Sequence, residues 1–190
     1  TTYYYSTSCG KTTTMKAWGT SENESNGYLQ SVEVKDKKGD YEKSLPWYRW
    51  EADIDQDILS TLLAENVKKN IGTVQSLEVT KTGPGGVALQ IKAVGDKGSI
   101  TVDTENKIRK ALGGNGYEIK KQDGTVAQSG TLLPSAFFKV KKAGNIFKIT
   151  GGGYGHGIGM SQNGANEMAK TGKNYQEILQ MFYPGTTIEK

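Results

Sequence analysis

The stretch GGGYGHGIGMSQNGA, residues 151–165, holds His156, the single histidine of the chain, and six of its first ten residues are glycine. Glycine adopts positive φ readily and lets a backbone approach a ligand or another segment closely. The run is therefore a phosphate cradle at a helix start, a tight structural crossing with His156 as a satisfied polar group, or the floor of a substrate groove with Tyr154 and His156 as polar contacts. The phosphate cradle is the weakest interpretation, because the stretch lacks the Lys and Ser/Thr of a P-loop.

Composition is typical of a turn-rich folded protein. The 190 residues include 25 glycines and 35% are hydrophobic, which favours turns and β-structure. The formal net charge is +4, with basic residues scattered among acidic ones, so an anionic partner is compatible but nucleic acid is not indicated. No apolar run has the length of a membrane helix, and the chain opens in TTYYYSTSCGKT rather than in a leader, so we interpret it as a piece of a longer protein.

One cysteine and one histidine limit the chemistry of the chain. Cys9 has no partner for an intramolecular disulfide, and Cys9 with His156 cannot make a four-ligand Cys/His site, so we expect no metal and no cofactor. If folding brought them together, they would be the minimum for nucleophilic amide cleavage. A buried cysteine that acts as a small hydrophobic residue is the commoner case.

Hydrophobic periodicity predicts an α+β fold. Strands are expected over about residues 3–6, 14–18 and 28–36. A helix is expected after Asp55, its N-cap, ending before Gly72. From Ser76 the period becomes two, which predicts a three-stranded antiparallel meander, followed by a short helix, two hairpins and two C-terminal helices. Because parallel β-α-β alternation is absent, we predict mostly antiparallel hairpins and a meander with a few short helices, and a glycine-rich groove near the C-terminal helices.

Four stretches resemble the stage II sporulation protein D family. They are YYYSTSCGKT, PWYRWEADI, VALQIKAVGDKGSITVDTENKIRKALG and the C-terminal run from GGGYGHG to FYPGT. The resemblance implies one domain over residues 1–190 that lacks the N-terminal part of the family domain, with residues 26–145 as a lobe inserted between two groove-forming segments. It also implies an extracytoplasmic location facing the cell wall, with the parent protein membrane anchored or secreted.

The same resemblance implies a function in the cell wall. Members of the family are lytic transglycosylases, which cleave MurNAc–GlcNAc bonds in denuded peptidoglycan strands during sporulation and cell-wall remodelling. Related proteins are described as amidase enhancers, so the alternative is a non-catalytic module that binds glycan or stimulates an amidase. The implied partners are glycan strands and an amidase, and nucleic acid is not among them.

Glycan cleavage of this type needs a carboxylic acid that protonates the leaving oxygen before the C6 hydroxyl of the sugar attacks. The acid must be partly buried to stay protonated near neutrality. The resemblance places it on an Ala-rich helix just N-terminal to the Ser-Thr-Ser stretch, so we expect it upstream of Thr1. Within the chain Glu51 is the candidate, because it stands among aromatic residues, although a carboxylate paired to Arg49 or a lysine is the favoured interpretation. His156 is predicted to be an orienting group or auxiliary proton carrier.

The resemblance also indicates where substrate binds. Ser6–Gly10 is expected beside residues 151–162, because the family places the two motifs together. The predicted substrate-binding residues are Ser6, Ser8, Tyr154, Gly155, Gly157, Ser161, Gln162, Trp47 and Trp50. Some family members carry zinc near this site, but Tyr5 stands where the family's histidine precedes Ser-Thr-Ser, so no structural zinc is expected. Few apolar neighbours are expected around the glycine-flanked imidazole of His156.

Overall fold

A computed structural model describes residues 1–189, so Lys190, the last residue of the predicted domain, lies outside it. The strands are β1 (Tyr4–Tyr5), β2 (Lys35–Asp36), β3 (Gly39–Asp40), β4 (Trp50–Asp55), β5 (Val74–Thr82), β6 (Ala88–Gly95), β7 (Gly98–Asp103), β8 (Glu118–Lys121), β9 (Val126–Gln128), β10 (Phe138–Ala143), β11 (Ile146–Gly151) and β12 (Met160–Ser161). The α-helices are α1 (Gln56–Val67), α2 (Glu105–Ala111), α3 (Gln162–Lys170) and α4 (Tyr175–Phe182), and 3-10 turns cover Met15–Trp18, Pro46–Tyr48 and Pro84–Gly86. Within residues 1–189, no helix combines the length and apolar character that crossing a membrane requires.

Two antiparallel sheets form most of the β-structure. One has five strands in the order β10-β11-β4-β8-β9, and the other is the meander β5-β6-β7. The predicted α+β class is confirmed. A short parallel pair joins β1 to β12, with Tyr4 opposite Met160. The inserted lobe over residues 26–145 stays a prediction, and β4 within it pairs with β11 over Trp50–Asp55, so the two parts share one sheet.

The helices begin where the sequence predicts. The Asp55 side chain accepts the Asp57 N–H at the start of α1, which ends at Lys68 in the left-handed conformation, four residues before Gly72. At the start of α4, Asn174 and Glu177 form a reciprocal capping box. Such caps satisfy N–H groups that have no partner inside the helix, so the local sequence alone sets these two starts.

Two predicted strands are wrong. Residues 15–18 form a 3-10 turn instead, because Thr14 caps it by accepting the Lys16 N–H and Gly19 ends it at φ 76°. Over residues 28–36 only Lys35–Asp36 is a strand. The preceding backbone pairs with residues 10–12 through one isolated bridge, Lys11 to Glu33. The Thr12 side chain supplements it by accepting the Val32 N–H and donating to the Gln30 carbonyl.

A continuous hydrophobic cluster connects the elements. Helix α1 packs against β4, β5 and α2, and β10 packs against β5, so both sheets contribute to one core. Its largest fully buried side chains are Phe147, Phe182, Ile54, Leu59, Leu63, Ile71, Ile91, Ile108, Leu112, Leu133, Ile149 and Ile158. Ile158 belongs to the glycine-rich run, so that run is anchored directly in the core.

The parallel pair of β1 and β12 depends on a glycine. The Met160 N–H donates to the Tyr3 carbonyl at 3.0 Å. Gly159 precedes it at φ 80°, and a Cβ there would collide with that same carbonyl. A residue without a side chain is therefore required for β1 and β12 to pair.

We expect Gly159→Ala to destabilise the protein more than Gly144→Ala. Both glycines have positive φ, but Gly144 has nothing within 4 Å of an added Cβ. Each alanine incurs left-handed strain of roughly 1–2 kcal/mol, and Gly159→Ala adds an overpacking cost of roughly 1–3 kcal/mol. Urea unfolding measures both free energies, and equal losses would contradict the close-approach argument.

Candidate functional site

The Ser-Thr-Ser stretch and the glycine-rich run lie side by side. Thr7 and Tyr154 exchange backbone hydrogen bonds of 3.1 and 2.8 Å, and the Thr13 N–H donates to the Gly157 carbonyl at 2.7 Å. At the start of α3 the Asn163 N–H donates to the Ser6 carbonyl at 2.9 Å. The prediction that Ser6–Gly10 lies beside residues 151–162 is confirmed.

A buried carboxylate, Glu42, ties these two segments together. It accepts the Ser8 N–H at 3.0 Å, the Ser8 hydroxyl, and the Ser161 hydroxyl at 2.6 Å. Ser161 is also the N-cap of α3, where its hydroxyl accepts the Gly164 N–H. Gly164 leaves room for this carboxylate, since a Cβ at that position would lie 2.9 Å from it. Glu42 is completely buried, so it acts as a clamp between Ser8 and Ser161.

Burial raises the pKa of Glu42, and the hydrogen bonds from Ser161 and Ser8 partly oppose that shift. The negative charge of Glu167 on α3 adds to the increase. Sequence reasoning missed Glu42, which stands in the polar stretch GDYEKS, where hydrophobic periodicity carries no signal. The same clamp corrects the predictions for Ser8 and Ser161, because both are buried against Glu42 and are not available to a substrate.

Beside the clamp lies an open cavity of about 540 Å³, which we call the groove. Its lining residues are Cys9, Gly10, Lys11, Glu33, Lys35, Asp40, Arg49, Gly85, Gly86, Phe137, Phe138, Lys139, Thr150, Gly151 and Gly152. Four cations and two carboxylates are among them, so the lining carries a net positive charge. The groove is built where the end of the Ser-Thr-Ser stretch meets the first glycines of the glycine-rich run.

Asp40 is fixed at the groove wall. Its carboxylate accepts the Tyr48 hydroxyl. Burial, together with that hydrogen bond, raises the pKa of Tyr48 to about 12. Gly10, at φ 105°, leaves room for the Asp40 carboxylate that a Cβ would take away. The turn after Ser-Thr-Ser and the Asp40 carboxylate therefore hold one another in place.

A second cavity, of about 380 Å³, adjoins the groove. The two share Arg49, Thr150 and Gly151. Glu51 borders the second cavity and pairs with Lys148 at 3.5 Å. This is the paired carboxylate that the sequence favoured, with a lysine as partner, and a catalytic role for Glu51 stays a prediction.

Two aromatic side chains lie near the lining of these cavities but are not part of it. The rings of Trp47 and Tyr154 are 4.8 Å apart, and the Lys121 ammonium lies 5.0 Å from the Trp47 ring. Tyr154 is 42% exposed. Trp50 is 3% exposed and its indole N–H donates to the Gly153 carbonyl at 2.9 Å. Tyr154 is therefore accessible to a ligand and Trp47 is half-buried, whereas Trp50, which was predicted to bind substrate, anchors the glycine-rich run.

His156 lies outside the lining of both cavities. Its Nδ1 accepts the Ile158 N–H at 3.0 Å, and its ring is 5.5 Å from Tyr5 and 5.1 Å from Trp18. Burial lowers its pKa, although the charge of Glu105 opposes this, so its surroundings favour the neutral imidazole. The expectation of few apolar neighbours is wrong, because two aromatic rings pack on it. Its predicted role in proton transfer stays a prediction.

Cys9 and His156 have different surroundings. Cys9 lines the groove, where burial raises the pKa of its thiol, whereas His156 is committed to Ile158, Tyr5 and Trp18. A nucleophilic Cys–His pair for amide cleavage is therefore not assembled. The residues do not fit the zinc site of the family either, because in the part of the chain that the structure describes no three His, Cys, Asp or Glu residues cluster as metal ligands.

The remaining predicted residues have varied surroundings. Gly155 and Gly157 have positive φ and leave room for the rings of Tyr5 and Phe137. Gln162 is exposed in the first turn of α3, and the partly buried Ser6 hydroxyl lies 3.1 Å from that of Thr7. These glycines shape the backbone, and their contact with a substrate stays a prediction.

Comparison with known proteins identifies the relatives of this chain. Residues 12–159 match the family described as a domain of unknown function, DUF8618. Stage II sporulation protein D of Bacillus subtilis (strain 168) is 31% identical over 98% of this chain and 44% of its own length. Stage II sporulation protein D of Bacillus amyloliquefaciens is 35% identical over 55% of this chain and 29% of its own length. The amidase enhancer of Bacillus subtilis is 50% identical over 30% of this chain and 8% of its own length. The chain spans less than half of each relative.

Glu42 generates a prediction about pH and stability. Because its folded pKa lies above the ordinary 4.5, the folded state keeps the proton to higher pH than the unfolded state. The stabilisation of the folded state by protonated Glu42 is therefore full below about pH 4.5. It is lost as the pH rises through the raised pKa, by up to roughly 1.4 kcal/mol per pH unit. Glutamine does not titrate, so Glu42→Gln lacks this loss. The unfolding free energy of the wild type minus that of Glu42→Gln should therefore fall as the pH rises.

Urea unfolding between pH 4 and 8 tests this, with Glu24→Gln, a substitution in an exposed loop, as the control that should follow the wild type. Parallel pH profiles for the wild type and Glu42→Gln would contradict the prediction. Glu42→Ala should be more severe, by roughly 3 kcal/mol, since it leaves a cavity and removes the acceptor of three hydrogen bonds.

Proposed function

The chain belongs to the DUF8618 family and is a homologue of stage II sporulation protein D, and from this premise we propose that it acts on the glycan strands of peptidoglycan. The resemblance in its sequence is confirmed by these relatives. A role in the cell wall agrees with both names found among them, stage II sporulation protein D and amidase enhancer. The proposed location is extracytoplasmic, facing the wall.

One observation carries the proposal. The two stretches that most resemble the family, Ser-Thr-Ser-Cys-Gly and the glycine-rich run, are far apart in sequence but jointly form the groove, with Cys9 and Gly10 from one and Gly151 and Gly152 from the other. An open groove suits an extended saccharide, and aromatic side chains close to it offer large, rigid apolar faces together with a polar edge. Trp47 and Tyr154 provide such faces.

The proposed reaction is lytic transglycosylase-type cleavage of the MurNAc–GlcNAc bond. It needs a carboxylic acid that faces the groove and is held protonated. Among the described residues Glu42 is buried beneath the surface, and Glu33 is paired to Lys35 at 2.9 Å. Asp40 faces the groove but accepts the Tyr48 hydroxyl. We therefore propose that this chain supplies the groove, while the acid stands on a helix N-terminal to the Ser-Thr-Ser stretch in the longer protein.

A second candidate function is a non-catalytic module that binds glycan and stimulates an amidase. The relative named amidase enhancer, 50% identical over 58 residues, favours it. So does the geometry of the carboxylates, since none of the groove acids in residues 1–189 is both buried and without a hydrogen-bond or ion-pair partner. In this case the groove binds the wall and the amidase is the partner.

Product analysis distinguishes the two functions. We expect the full-length parent protein to release 1,6-anhydro products from amidase-treated peptidoglycan, and residues 1–190 to bind the glycan without releasing them. Mass spectrometry of the soluble products measures this. Anhydro products from residues 1–190 would mean that an acid within the chain, Glu51 or Asp40, is the catalyst. If both proteins bind the glycan and neither releases an anhydro product, the function is that of the non-catalytic binding module.

The aromatic pair provides a test of binding itself. We expect Tyr154→Ala to weaken the affinity of residues 1–190 for glycan strands roughly five- to tenfold, the loss of about 1–1.4 kcal/mol of stacking. Tyr175→Ala is the matched control, because Tyr175 is 55% exposed on α4 and belongs to neither the Ser-Thr-Ser stretch nor the glycine-rich run. Co-sedimentation with peptidoglycan measures both, and equal effects of the two substitutions would contradict a stacking role for Tyr154.

A further inference from the structure

Arg49 is held rigidly at the wall that the two cavities share. Its Nη1 donates to the Cys9 carbonyl at 2.8 Å and to the Tyr48 carbonyl at 2.7 Å. Its guanidinium carbon lies 4.0 Å from the centre of the Tyr48 ring. Hydrogen bonds and stacking therefore fix the plane of the guanidinium before any ligand arrives, which lowers the entropy cost of binding one.

Arg49 has no carboxylate partner among residues 1–189. Arg49 takes part in none of the ion pairs of these residues. Glu51, its predicted partner, pairs with Lys148 instead. Asp40 accepts the Tyr48 hydroxyl. The Nε and Nη2 groups of Arg49 make no hydrogen bond to the described residues. Arg109 shows the contrast, because its guanidinium is buried against Glu105 and two backbone carbonyls.

The surroundings of Arg49 favour an anion. On the groove side Lys139 and Lys11 add positive charge, and on the other side Lys120 and Lys121 line the second cavity. Glu33 is paired to Lys35 and Asp40 accepts the Tyr48 hydroxyl, so the groove lining keeps a net positive charge. A carboxylate, with one negative charge and two oxygens in a plane, matches the two free N–H groups of a planar guanidinium.

We infer that Arg49 binds a free carboxylate of the bound saccharide and so determines which form of the glycan the groove accepts. This rests on the proposed function and names the substrate group that one residue recognises. The carboxylate accepts hydrogen bonds from Nε and Nη2, and no bond is made or broken. A glycan whose carboxylates are blocked as amides loses this charge-assisted contact and leaves the two N–H groups unpaired.

Binding of residues 1–190 to two forms of one glycan tests the inference. One form is peptide-stripped glycan with free carboxylates, and the other is the same glycan with its carboxylates converted to methylamides. The wild type should bind the free form about tenfold more tightly. Arg49→Gln should bind both forms with equal affinity, and its retained binding to the methylamide form shows that it is folded. Arg49→Lys should keep only part of the preference, because an ammonium lacks the planar fork.

Lys141→Gln is the matched control for charge, since Lys141 is exposed on β10 and borders neither cavity. It should keep the tenfold preference. A glycerol-phosphate polymer provides the other source of anionic groups. A preference retained in Arg49→Gln, or an Arg49-dependent preference for the phosphate polymer over the carboxylate glycan, would overturn the inference alone. Failure of the wild type to bind either form of the glycan would instead overturn the proposed function, and the inference with it.

Discussion

The buried carboxylate of Glu42 is the contact on which the arrangement of the site depends. It accepts hydrogen bonds from Ser8 and Ser161, which are 153 residues apart and belong to the two stretches that form the groove. A buried charge is costly unless its hydrogen-bonding capacity is satisfied, and removing one donor leaves that cost uncompensated. The carboxylate therefore specifies a single relative position of the two stretches, because other positions leave it without donors.

The clamp also fixes one wall of the groove, because Cys9 directly follows Ser8 in the chain. Ser8 is fixed to Glu42, so the next residue, Cys9, presents its carbonyl at a fixed point, and that carbonyl accepts Nη1 of Arg49. On the other side, the Gly152 N–H donates to the Phe137 carbonyl and the Gly153 N–H to the Trp47 carbonyl. Both walls of the groove are thus held by backbone groups, and a ligand meets a surface with little freedom left to lose.

The sequence predicts those parts of the fold that local signals determine. Asp55 and Asn174 cap their helices, and the alternation that begins at Ser76 becomes the meander, because capping and periodicity act within a few residues. The strand predicted at residues 14–18 fails where a Thr cap and a left-handed Gly19 outweigh β-propensity. Glu42 could not be found in this way, since its partners Ser8 and Ser161 are distant in sequence and it stands in the polar stretch GDYEKS. The position of Arg49 could not be found either, because it depends on the distant Cys9 carbonyl.

His156 shows why a conspicuous motif residue need not line the site. The glycines around it are needed for close approach, for Gly157 faces the Phe137 ring and Gly159 faces the Tyr3 carbonyl. The imidazole itself accepts the Ile158 N–H, and Ile158 is fully buried. A neutral imidazole with a lowered pKa suits this role as an acceptor, because protonation at Nδ1 would break the bond to Ile158. The motif therefore constrains the backbone that carries the groove, and the proposed ligand contacts of Arg49 and Trp47 lie in a segment that is distant from it in sequence.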